Sequence, residues 1–477
     1  SSIGKFGGDT DNWIWPRHTG DFSMFRVYAS KDNRPAAYSP QNVPYRPKKH
    51  FSISTKGVKE GDFTMIYGFP GNTQEYILSD AVAYIAERSD PAKIAIRTGR
   101  LDIITKAQES DPALRIHYAA KHASIANAWK KWQGEALGID RRGTVAAKFD
   151  YETQFGLWSV GRPEYAGVVM GLRAEYDRIM DAYFAYEITR ETLSTLPAAY
   201  TPEERSEECF ARRKFAEQAL WRHAFREYGR CPKVYRTPSY AEGMARYKSP
   251  EAYADALFEA VWEGSDSVAM QPAVRLREET KRMLDHISWM LGTKSLRNLN
   301  SKILNELYTT YIKGLREWDR ERAFYPDANL TLRVAYGSVA GYEYADGEYH
   351  KPQTTLDGII AKDNPEIYDY DIPQSLRDLY TSKSYGRWGT VIDGRRTVPV
   401  CFLATNHTTG GNSGSPVLNA GGELIGINFD RTWRSTMSDI AYDPAICRNI
   451  AVDIRYVLFV VDRVGGAGYL LKEMTLK

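Results

Sequence analysis

The stretch "GGNSGSPVLNAGGELIGINFD", residues 410–430, has the composition of a loop that presents a nucleophilic serine. A serine hydroxyl is a weak nucleophile, so it needs a base to take its proton and donors that stabilise an oxyanion. Gly410, Gly411 and Gly414 permit a tight turn in which backbone N–H groups point into one concavity. We expect Ser413 to be the nucleophile and the N–H groups of Gly411 and Ser413 to form the oxyanion hole.

The alternative for this stretch is an ordinary turn, because Gly, Asn and Ser are the residues that turns prefer. The residues that follow favour the nucleophile. "PVLNAGGELIGINFD" has the pattern of two strands joined by a hairpin at "NAGGE". We expect the end of the second strand, residues 428–431, to line a substrate cleft.

Composition disfavours several other classes of protein. The 477 residues include 63 Lys and Arg against 60 Asp and Glu, for a net charge of +3. Without a long basic run, this even balance argues against a nucleic-acid partner. Charged residues interrupt the most apolar stretch near the end, so no membrane span is predicted. The first residues, "SSIGKFGGDTDNW", lack the basic and apolar regions of a signal peptide.

Four cysteines are present, and none lies in a Cys-x-x-Cys pair. A zinc or redox motif is therefore not predicted, and we expect neither a metal nor a cofactor. Two disulfides, Cys209–Cys231 and Cys401–Cys447, would fit an oxidising compartment. Buried free thiols fit the sequence at least as well.

The periodicity of the chain changes twice. Short runs such as "DFSMFRVYA" and "DFTMIYGFPG" predict strands within residues 1–84. Within residues 85–330, the apolar residues of stretches such as "YADALFEAVW" recur at helical spacing. In residues 331–477 the β pattern returns, as in "TVPVCFLATNH" and "NIAVDIRYVLFVVDRV". This order predicts a β protein that carries an inserted helical domain.

Two motifs together resemble a known family. "GNSGSPVLN" followed by "GELIGI" resembles chymotrypsin-like serine proteases, and "DNWIWPRHTGDFSMFRVY", residues 11–28, resembles the bacterial dipeptidyl-peptidases 7 and 11. The resemblance implies a chymotrypsin-like double β-barrel with a large helical domain between the barrels. Residues 1–84 would form part of the first barrel, residues 85–330 the helical cap and residues 331–477 the second barrel. It also implies a homodimer in the periplasm or on the surface of a Gram-negative bacterium.

The same resemblance implies a His–Asp–Ser triad in which Asp21 is the acid and Ser413 the nucleophile. The histidine of the family lies upstream of the Asp, but no histidine of this sequence precedes His18. Neither His18 nor His407 matches the position of the base. We therefore expect a segment that carries the base to be missing from this sequence, and the chain alone to be inactive.

An enzyme that removes dipeptides must hold the free α-amino group of its substrate, and a buried cation needs a carboxylate and other oxygen acceptors. The resemblance implies that Asn12, Trp13, Asn127 and Asp430 hold this amino group, with Asp430 as the charge partner.

Arg431 follows Asp430 directly, and in the branch of the family that cleaves after Asp or Glu an arginine occupies this position. A guanidinium can form a two-pronged pair with a substrate carboxylate. Adjacent strand residues point to opposite faces, so Asp430 and Arg431 need not pair with each other. The alternative role for Arg431 is that of an ordinary surface or structural arginine.

The leading hypothesis is a serine dipeptidyl-peptidase that acts on peptides with a free N-terminus and Asp or Glu in the second position. An enzyme with the same mechanism and an apolar preference is the first alternative. An inactive fragment or a peptide-binding pseudoprotease is the second, because no residue matches the catalytic histidine.

Overall fold

The computed structural model describes residues 2–264, 267–293 and 299–477. The chain divides into two compact units. Residues 1–75 and 327–477 form the first, here called the β unit, and residues 76–326 form the second, the helical unit. The helical unit is thus an insertion in sequence between the two segments that build the β unit.

The strands all lie in the β unit. In chain order they are β1 (Tyr28–Ala29), β2 (Val43–Pro44), β3 (Phe63–Gly68), β4 (Arg333–Ser338), β5 (Tyr342–Ala345), β6 (Glu348–His350), β7 (Gln353–Thr355), β8 (Thr390–Ile392), β9 (Arg395–Thr397), β10 (Pro399–Ala404), β11 (Pro416–Leu418), β12 (Leu424–Arg431) and β13 (Asn449–Asp453). Seven of them form one sheet in the order β4-β3-β11-β12-β13-β10-β7, and each neighbouring pair is antiparallel.

The loop that contains Ser413 connects two strands of the sheet. The loop containing Ser413 leaves the end of β10, which is buried along its whole length, and enters β11. The predicted hairpin is confirmed, because β11 pairs with β12 from Pro416↔Ile427 to Leu418↔Leu424. β3 pairs with both β4 and β11, so a strand from the first segment of the chain lies beside the strand that follows Ser413.

The prediction of two closed barrels is not confirmed. In the part of the chain that the structure describes, the seven-stranded sheet has β4 and β7 at its edges. A single bridge, Val339↔Ala404, joins the residue after β4 to the last residue of β10. The run "DFSMFRVYA" provides only the two residues of β1, and Phe25 and Val27 are 88% and 64% exposed. A strand pattern without a partner strand forms no ladder, which explains the difference.

The prediction for "NIAVDIRYVLFVVDRV" is half wrong. Residues Asn449–Asp453 form β13, but Ile454–Phe459 form a helix. The side chain of Asp453 caps this helix by accepting from the backbone N–H of Arg455, and it also holds the guanidinium of Arg455 at 2.7 and 2.9 Å. An apolar run does not by itself distinguish a buried strand from a buried helix, and the capping aspartate decides here.

The helical unit contains the long helices. In chain order the helices are α1 (Ser79–Ala83), α2 (Asp90–Ser110), α3 (Pro112–Arg141), α4 (Thr144–Ser159), α5 (Val168–Glu191), α6 (Pro202–Ser206), α7 (Lys214–Tyr228), α8 (Pro238–Tyr247), α9 (Pro250–Glu263), α10 (Ser267–Leu291) and α11 (Lys302–Trp318), followed in the β unit by α12 (Leu356–Lys362), α13 (Gln374–Thr381) and α14 (Ile454–Phe459). A π-helical segment, Tyr84–Ser89, joins α1 to α2.

Local signals set the helix boundaries. Helix α8 ends where Lys248 takes a left-handed φ of 62°, and the side chain of Ser249 then caps α9 by accepting from the N–H of Ala252. Helix α7 ends at Tyr228, directly before "GRCPK". None of the helices in the described ranges is both long and apolar enough to cross a bilayer.

The four cysteines are buried free thiols, which is the second of the two alternatives that the sequence left open. Burial raises the pKa of Cys401 to about 12 and that of Cys447 to about 11. At neutral pH these thiols are therefore protonated and weakly nucleophilic.

Candidate active site

The loop around Ser413 is held by an asparagine. Asn412 is 2% exposed, and its side-chain oxygen accepts from the N–H of Thr409 at 3.1 Å. The backbone oxygen of Asn412 accepts from the N–H of Ser415 at 3.0 Å, and the N–H of Gly414 donates to Asn428 O at 2.8 Å. These bonds fix the loop on both sides of Ser413.

The hydrogen bonds of the loop leave two donors for a ligand. Among the hydrogen bonds of the described residues, none is donated by the backbone N–H of Gly411 or of Ser413. These two groups are the ones that we expect to stabilise an oxyanion. Their role stays a prediction, and the bonding pattern of the loop is compatible with it.

Gly411 occupies a position that requires glycine. Its φ is 105°, a backbone conformation that residues with a side chain rarely adopt. A Cβ atom at this position would lie 2.4 Å from Phe69 O and 2.9 Å from Gly71 N. The nucleophile loop thus passes against the chain that follows β3 with no room for a side chain.

Ser413 is exposed, and its hydroxyl donates to Phe429 O at 3.3 Å. No histidine of the described residues hydrogen-bonds to Ser413. The ring of His407 bonds Ser438 O at 2.8 Å and lies 3.4 Å from the Glu75 carboxylate. Ser413 therefore has a defined position, and the described histidines leave its hydroxyl bonded to a backbone carbonyl.

His18 is also placed away from this role. It is 6% exposed, and the ideal Cβ of Gly358 would lie 1.9 Å from its Nε2. Burial, with the charge of Lys362 in addition, lowers the pKa of His18 to about 3. The ring is therefore a neutral group of the core.

Asp430 is bonded by three donors. Its Oδ2 accepts from Arg17 Nη1 at 2.8 Å and from the backbone N–H of Trp13 at 3.2 Å, while its Oδ1 accepts from the N–H of Arg431 at 2.8 Å. Burial raises the pKa of Asp430, and the charge of Arg17 opposes this rise. A carboxylate has about four acceptor positions, so one more donor can be accommodated.

Trp13 adopts a strained backbone conformation. Its φ is 66°, in the left-handed region that disfavours a bulky residue. The strain is compensated by the bond from its N–H to Asp430. Residues in such conformations often lie at functional sites. Asn12, the other residue of this motif that we expect to bind the amino group, is half-buried beside it.

Asp21 and Asn127 lie in different settings. Asp21 is an exposed residue whose carboxyl interacts electrostatically with Arg17 and Asp430. Partial desolvation raises the pKa of Asp21, Arg17 opposes the rise and Asp430 adds to it. Asn127 is exposed on α3 of the helical unit. The assigned roles of both residues stay predictions.

Arg431 forms a buried ion pair that the sequence analysis did not anticipate. It is 4% exposed, and its Nη1 and Nη2 donate to the two oxygens of Asp439 at 2.6 and 2.8 Å. Nη1 also donates to Thr408 O at 3.2 Å and to Ser438 Oγ at 2.9 Å. The register of β12 against β13 shifts between Asn428 and Asp430.

One cluster in the helical unit has the residue types of a metal site. The ligand atoms of His117, Glu207 and Cys209 lie within 4.8 Å of one another. Arg213 Nη1 lies 2.5 Å from His117 Nε2 and 3.5 Å from the Glu207 carboxylate. The positive charge of Arg213 opposes a second cation there, so we assign this cluster no metal.

Arg17 and Asp439 are the charged neighbours of this site that sequence reasoning missed. Arg17 lies within "WPRHTGDF", a motif that the sequence analysis used, but nothing local in the sequence pairs it with Asp430, which is 413 positions away. Asp439 is eight positions beyond Arg431 in a 3₁₀ segment, Trp433–Asp439, and no periodicity marks it.

Comparison with known proteins shows first that this chain is a peptidase. The sequence profile of the family Peptidase S46 matches residues 1–208 and 204–476. The chain therefore belongs to peptidase family S46, which confirms the resemblance seen in the sequence.

Particular relatives are similar over the whole chain. An Asp/Glu-specific dipeptidyl-peptidase of Capnocytophaga gingivalis is 42% identical, and the match covers 100% of this chain and 72% of that protein. A dipeptidyl-peptidase 7 of Phocaeicola vulgatus is 34% identical, with 100% and 71% covered. The crystal structure of Porphyromonas endodontalis DPP11 in complex with dipeptide Arg-Glu is similar with a TM-score of 0.83 and 33% identity, covering 100% of this chain and 73% of that one.

The environment of Gly411 generates a first prediction. We expect Gly411→Ala to displace the loop and its donors, and to lower kcat by about 10²–10³, as the loss of one oxyanion donor does. Steady-state kinetics on the active protein would measure this. Gly410→Ala is the matched control, because a Cβ at Gly410 meets nothing within 4 Å. Equal activity of the two variants would contradict the assignment.

Proposed function

We propose that this chain is a serine-type dipeptidyl-peptidase that releases N-terminal dipeptides with Asp or Glu in the second position. The observation that supports this most is the arrangement around β12. Ser413 bonds the carbonyl of Phe429, and the next two residues are the buried Asp430 and Arg431. Phe429, which accepts from the Ser413 hydroxyl, is followed directly in β12 by Asp430 and Arg431. One short stretch of this strand therefore positions the expected nucleophile, an anionic group and a cationic group.

The first part of the proposal is acyl-enzyme chemistry at Ser413. Its hydroxyl exchanges the bond with Phe429 O for one with a base, gives up its proton and attacks the peptide carbonyl. The N–H groups of Gly411 and Ser413 hold the oxyanion, and the base returns the proton to the leaving amine. Water then repeats these steps to release the dipeptide. In the family the base is an upstream histidine, and Asp21 would orient it.

The second part concerns the amino end of the substrate. Asp430 and the strained Trp13 are joined by a hydrogen bond, so an ammonium group that meets the carboxylate is also placed against Trp13. Because burial raises the pKa of Asp430, a cationic ligand stabilises its charged form. Asn12 would add an amide acceptor. We keep Asn127 as a further contact from the helical unit.

The third part concerns the residue before the scissile bond. An acidic side chain requires a cation that is already desolvated and oriented, and Arg431 is 4% exposed and held by four hydrogen bonds. These contacts support the acidic preference over the apolar one, since a carboxylate-binding cation gives no advantage to an apolar side chain.

Two alternatives give different results in the experiments below. A preference for apolar residues would leave Arg431 as a structural partner of Asp439. A peptide-binding pseudoprotease would keep the amino-end contacts and would never turn over, because Ser413 bonds a backbone carbonyl and no histidine of the described residues.

The remaining expectations of the resemblance belong to the same proposal. The sheet order β4-β3-β11-β12-β13-β10, with the bridge Val339↔Ala404 between its ends, supports a second barrel of six strands. We propose a homodimer in the periplasm or at the surface of a Gram-negative bacterium.

The function is tested by Ser413→Ala in the protein that carries the upstream histidine of the family. We expect turnover to fall by about 10⁴–10⁶ with folding intact, because a triad acts as one unit. Release of a chromophore from a dipeptide with Glu in the second position measures it. Ser382→Ala, at an exposed serine of the β unit, is the control. Residual turnover close to that of the control would refute the nucleophile.

Blocking the amino group tests the role of Asp430. We expect an N-acetylated peptide to be cleaved less well than the same free peptide by about 2–5 kcal/mol in transition-state free energy, as for a buried charge that loses its partner. Paired kinetics on the two peptides measure this difference. Equal rates would instead indicate an endopeptidase.

Replacing Arg431 tests the acidic preference. We expect Arg431→Ala to lower kcat/KM for a Glu substrate by two to three powers of ten, or ~3–4 kcal/mol, and to leave a Leu substrate unchanged or improved. Arg431→Lys should recover only part of the loss, because lysine lacks the two-pronged geometry. Arg377→Ala is the control, since Arg377 also forms a two-pronged pair, through its Nε and Nη2, with Asp363 at 2.7 and 2.8 Å. A retained Glu over Leu preference would make Arg431 structural.

A further inference from the structure

Arg431 is not held by its strand alone. The guanidinium end carries two donors side by side, and each donates to one oxygen of the Asp439 carboxylate, at 2.6 and 2.8 Å. The Asp439 side chain is 16% exposed and that of Arg431 5%. Such a two-pronged, charge-assisted pair fixes the plane of the guanidinium as well as its position.

Asp439 is itself fixed to other segments of the β unit. Its backbone oxygen accepts from the N–H of Gln74 at 2.6 Å, and the preceding Ser438 O bonds the ring of His407 at 2.8 Å. Ser438 Oγ also accepts from Arg431 Nη1 at 2.9 Å. The carboxylate that holds the arginine is therefore anchored by bonds to other segments of the β unit.

A guanidinium can hold two carboxylates at once, because it has two forks. Asp439 takes the fork at the end of Arg431, formed by Nη1 and Nη2. The second fork is formed by Nε–H and the remaining Nη2–H and lies in the same plane. The ring of Trp13, the residue that also donates to Asp430, lies 5.6 Å from Arg431 Cζ. One face of the Arg431 guanidinium therefore lies next to Trp13, one of the residues that we expect to bind the α-amino group of the substrate.

We propose that Asp439 is a positioning residue that fixes the plane of the Arg431 guanidinium, and with it the orientation in which this group meets the acidic side chain of the substrate. This inference rests on the proposed function. It adds that the preference for Asp and Glu depends on an acidic residue of the enzyme, Asp439, that does not contact the substrate.

A purely electrostatic role for Asp439 predicts the opposite effect. A negative charge beside Arg431 repels the carboxylate of the substrate, so neutralising Asp439 would then strengthen binding of acidic peptides. Under the positioning role, Asp439→Asn weakens the binding of acidic peptides. An asparagine has one acceptor oxygen, and its NH₂ group would face a donor of Arg431, so the guanidinium rotates out of the required plane.

The experiment uses the full-length enzyme and two chromogenic dipeptide substrates that differ only in Glu or Leu at the second position. Kinetic constants are measured for the wild type, Arg431→Ala, Asp439→Asn and the double variant. We expect Asp439→Asn to lower kcat/KM for the Glu substrate at least about tenfold, mainly through KM, and to affect the Leu substrate much less. In the Arg431→Ala background the same substitution should leave the Glu to Leu ratio unchanged.

The control is Asp363→Asn, which disturbs a two-pronged pair with Nε and Nη2 of Arg377 in the same unit. It should leave the Glu to Leu ratio as in the wild type. If Asp439→Asn folds poorly, Asp439→Glu retains the charge and moves the guanidinium by one methylene. We then expect the ratio of Glu to Asp substrates to change, whereas a general loss of structure would leave that ratio constant.

The outcomes are distinguishable. A lower KM for the Glu substrate in Asp439→Asn, an equal loss for both substrates, or a loss of ratio that persists without Arg431 would each overturn the positioning role. If the wild type has no preference for Glu, or if Arg431→Ala retains it, the proposed function fails at Arg431 instead.

Discussion

The ion pair between Arg17 and Asp430 joins two segments that are 413 positions apart in the sequence, at an N–O distance of 2.8 Å. Both side chains are less than a tenth exposed. Burying either charge alone is costly, so each requires the other, and the segment around Arg17 has to lie against β12. The strained backbone of Trp13 and the placement of Asn12 follow from this constraint.

The bonds of Arg17 extend the constraint to the core. The Arg17 guanidinium also donates to Asp11 O and to Thr19 Oγ1, and Thr354 Oγ1 donates to Arg17 O at 2.6 Å. Thr354 lies in β7, the edge strand of the large sheet. The residues that we expect to recognise a substrate are therefore fixed by a buried polar network and not by loop packing alone, which favours a preorganised site.

Two neighbouring residues of β12 have different charged partners because of the geometry of the strand. Asp430 and Arg431 are consecutive in β12, yet Asp430 pairs with Arg17 and Arg431 pairs with Asp439. Successive side chains of a strand point to opposite faces, so opposite charges one position apart can serve different partners. A substrate that binds along this strand would meet an anionic and a cationic group on separate sides without their neutralising each other.

Local patterns in the sequence were sufficient for some parts of the structure. The glycine loop of Ser413 and the hairpin of β11 and β12 were predicted because turn chemistry and alternation act over a few residues. Only the last two residues of the short run "DFSMFRVYA" form a strand, since a ladder also needs a partner. The partner Arg17 was missed because contacts between distant segments leave no periodic signal, and Asp439 was missed because it lies in a 3₁₀ segment eight positions beyond Arg431. Asp453 shows that a single capping residue can override an apolar run.

The buried thiols bear on how the protein can be handled. Four cysteines that form no cross-links mean that none of the stability of this fold depends on oxidation. The chain can therefore be produced in a reducing cytoplasm and purified with thiol reductants present. Cys401 is fully enclosed, and its high pKa makes the thiolate scarce, so a thiol-directed label reacts only after the surrounding strands open. The rate of such labelling would therefore report how fast the strands around Cys401 open.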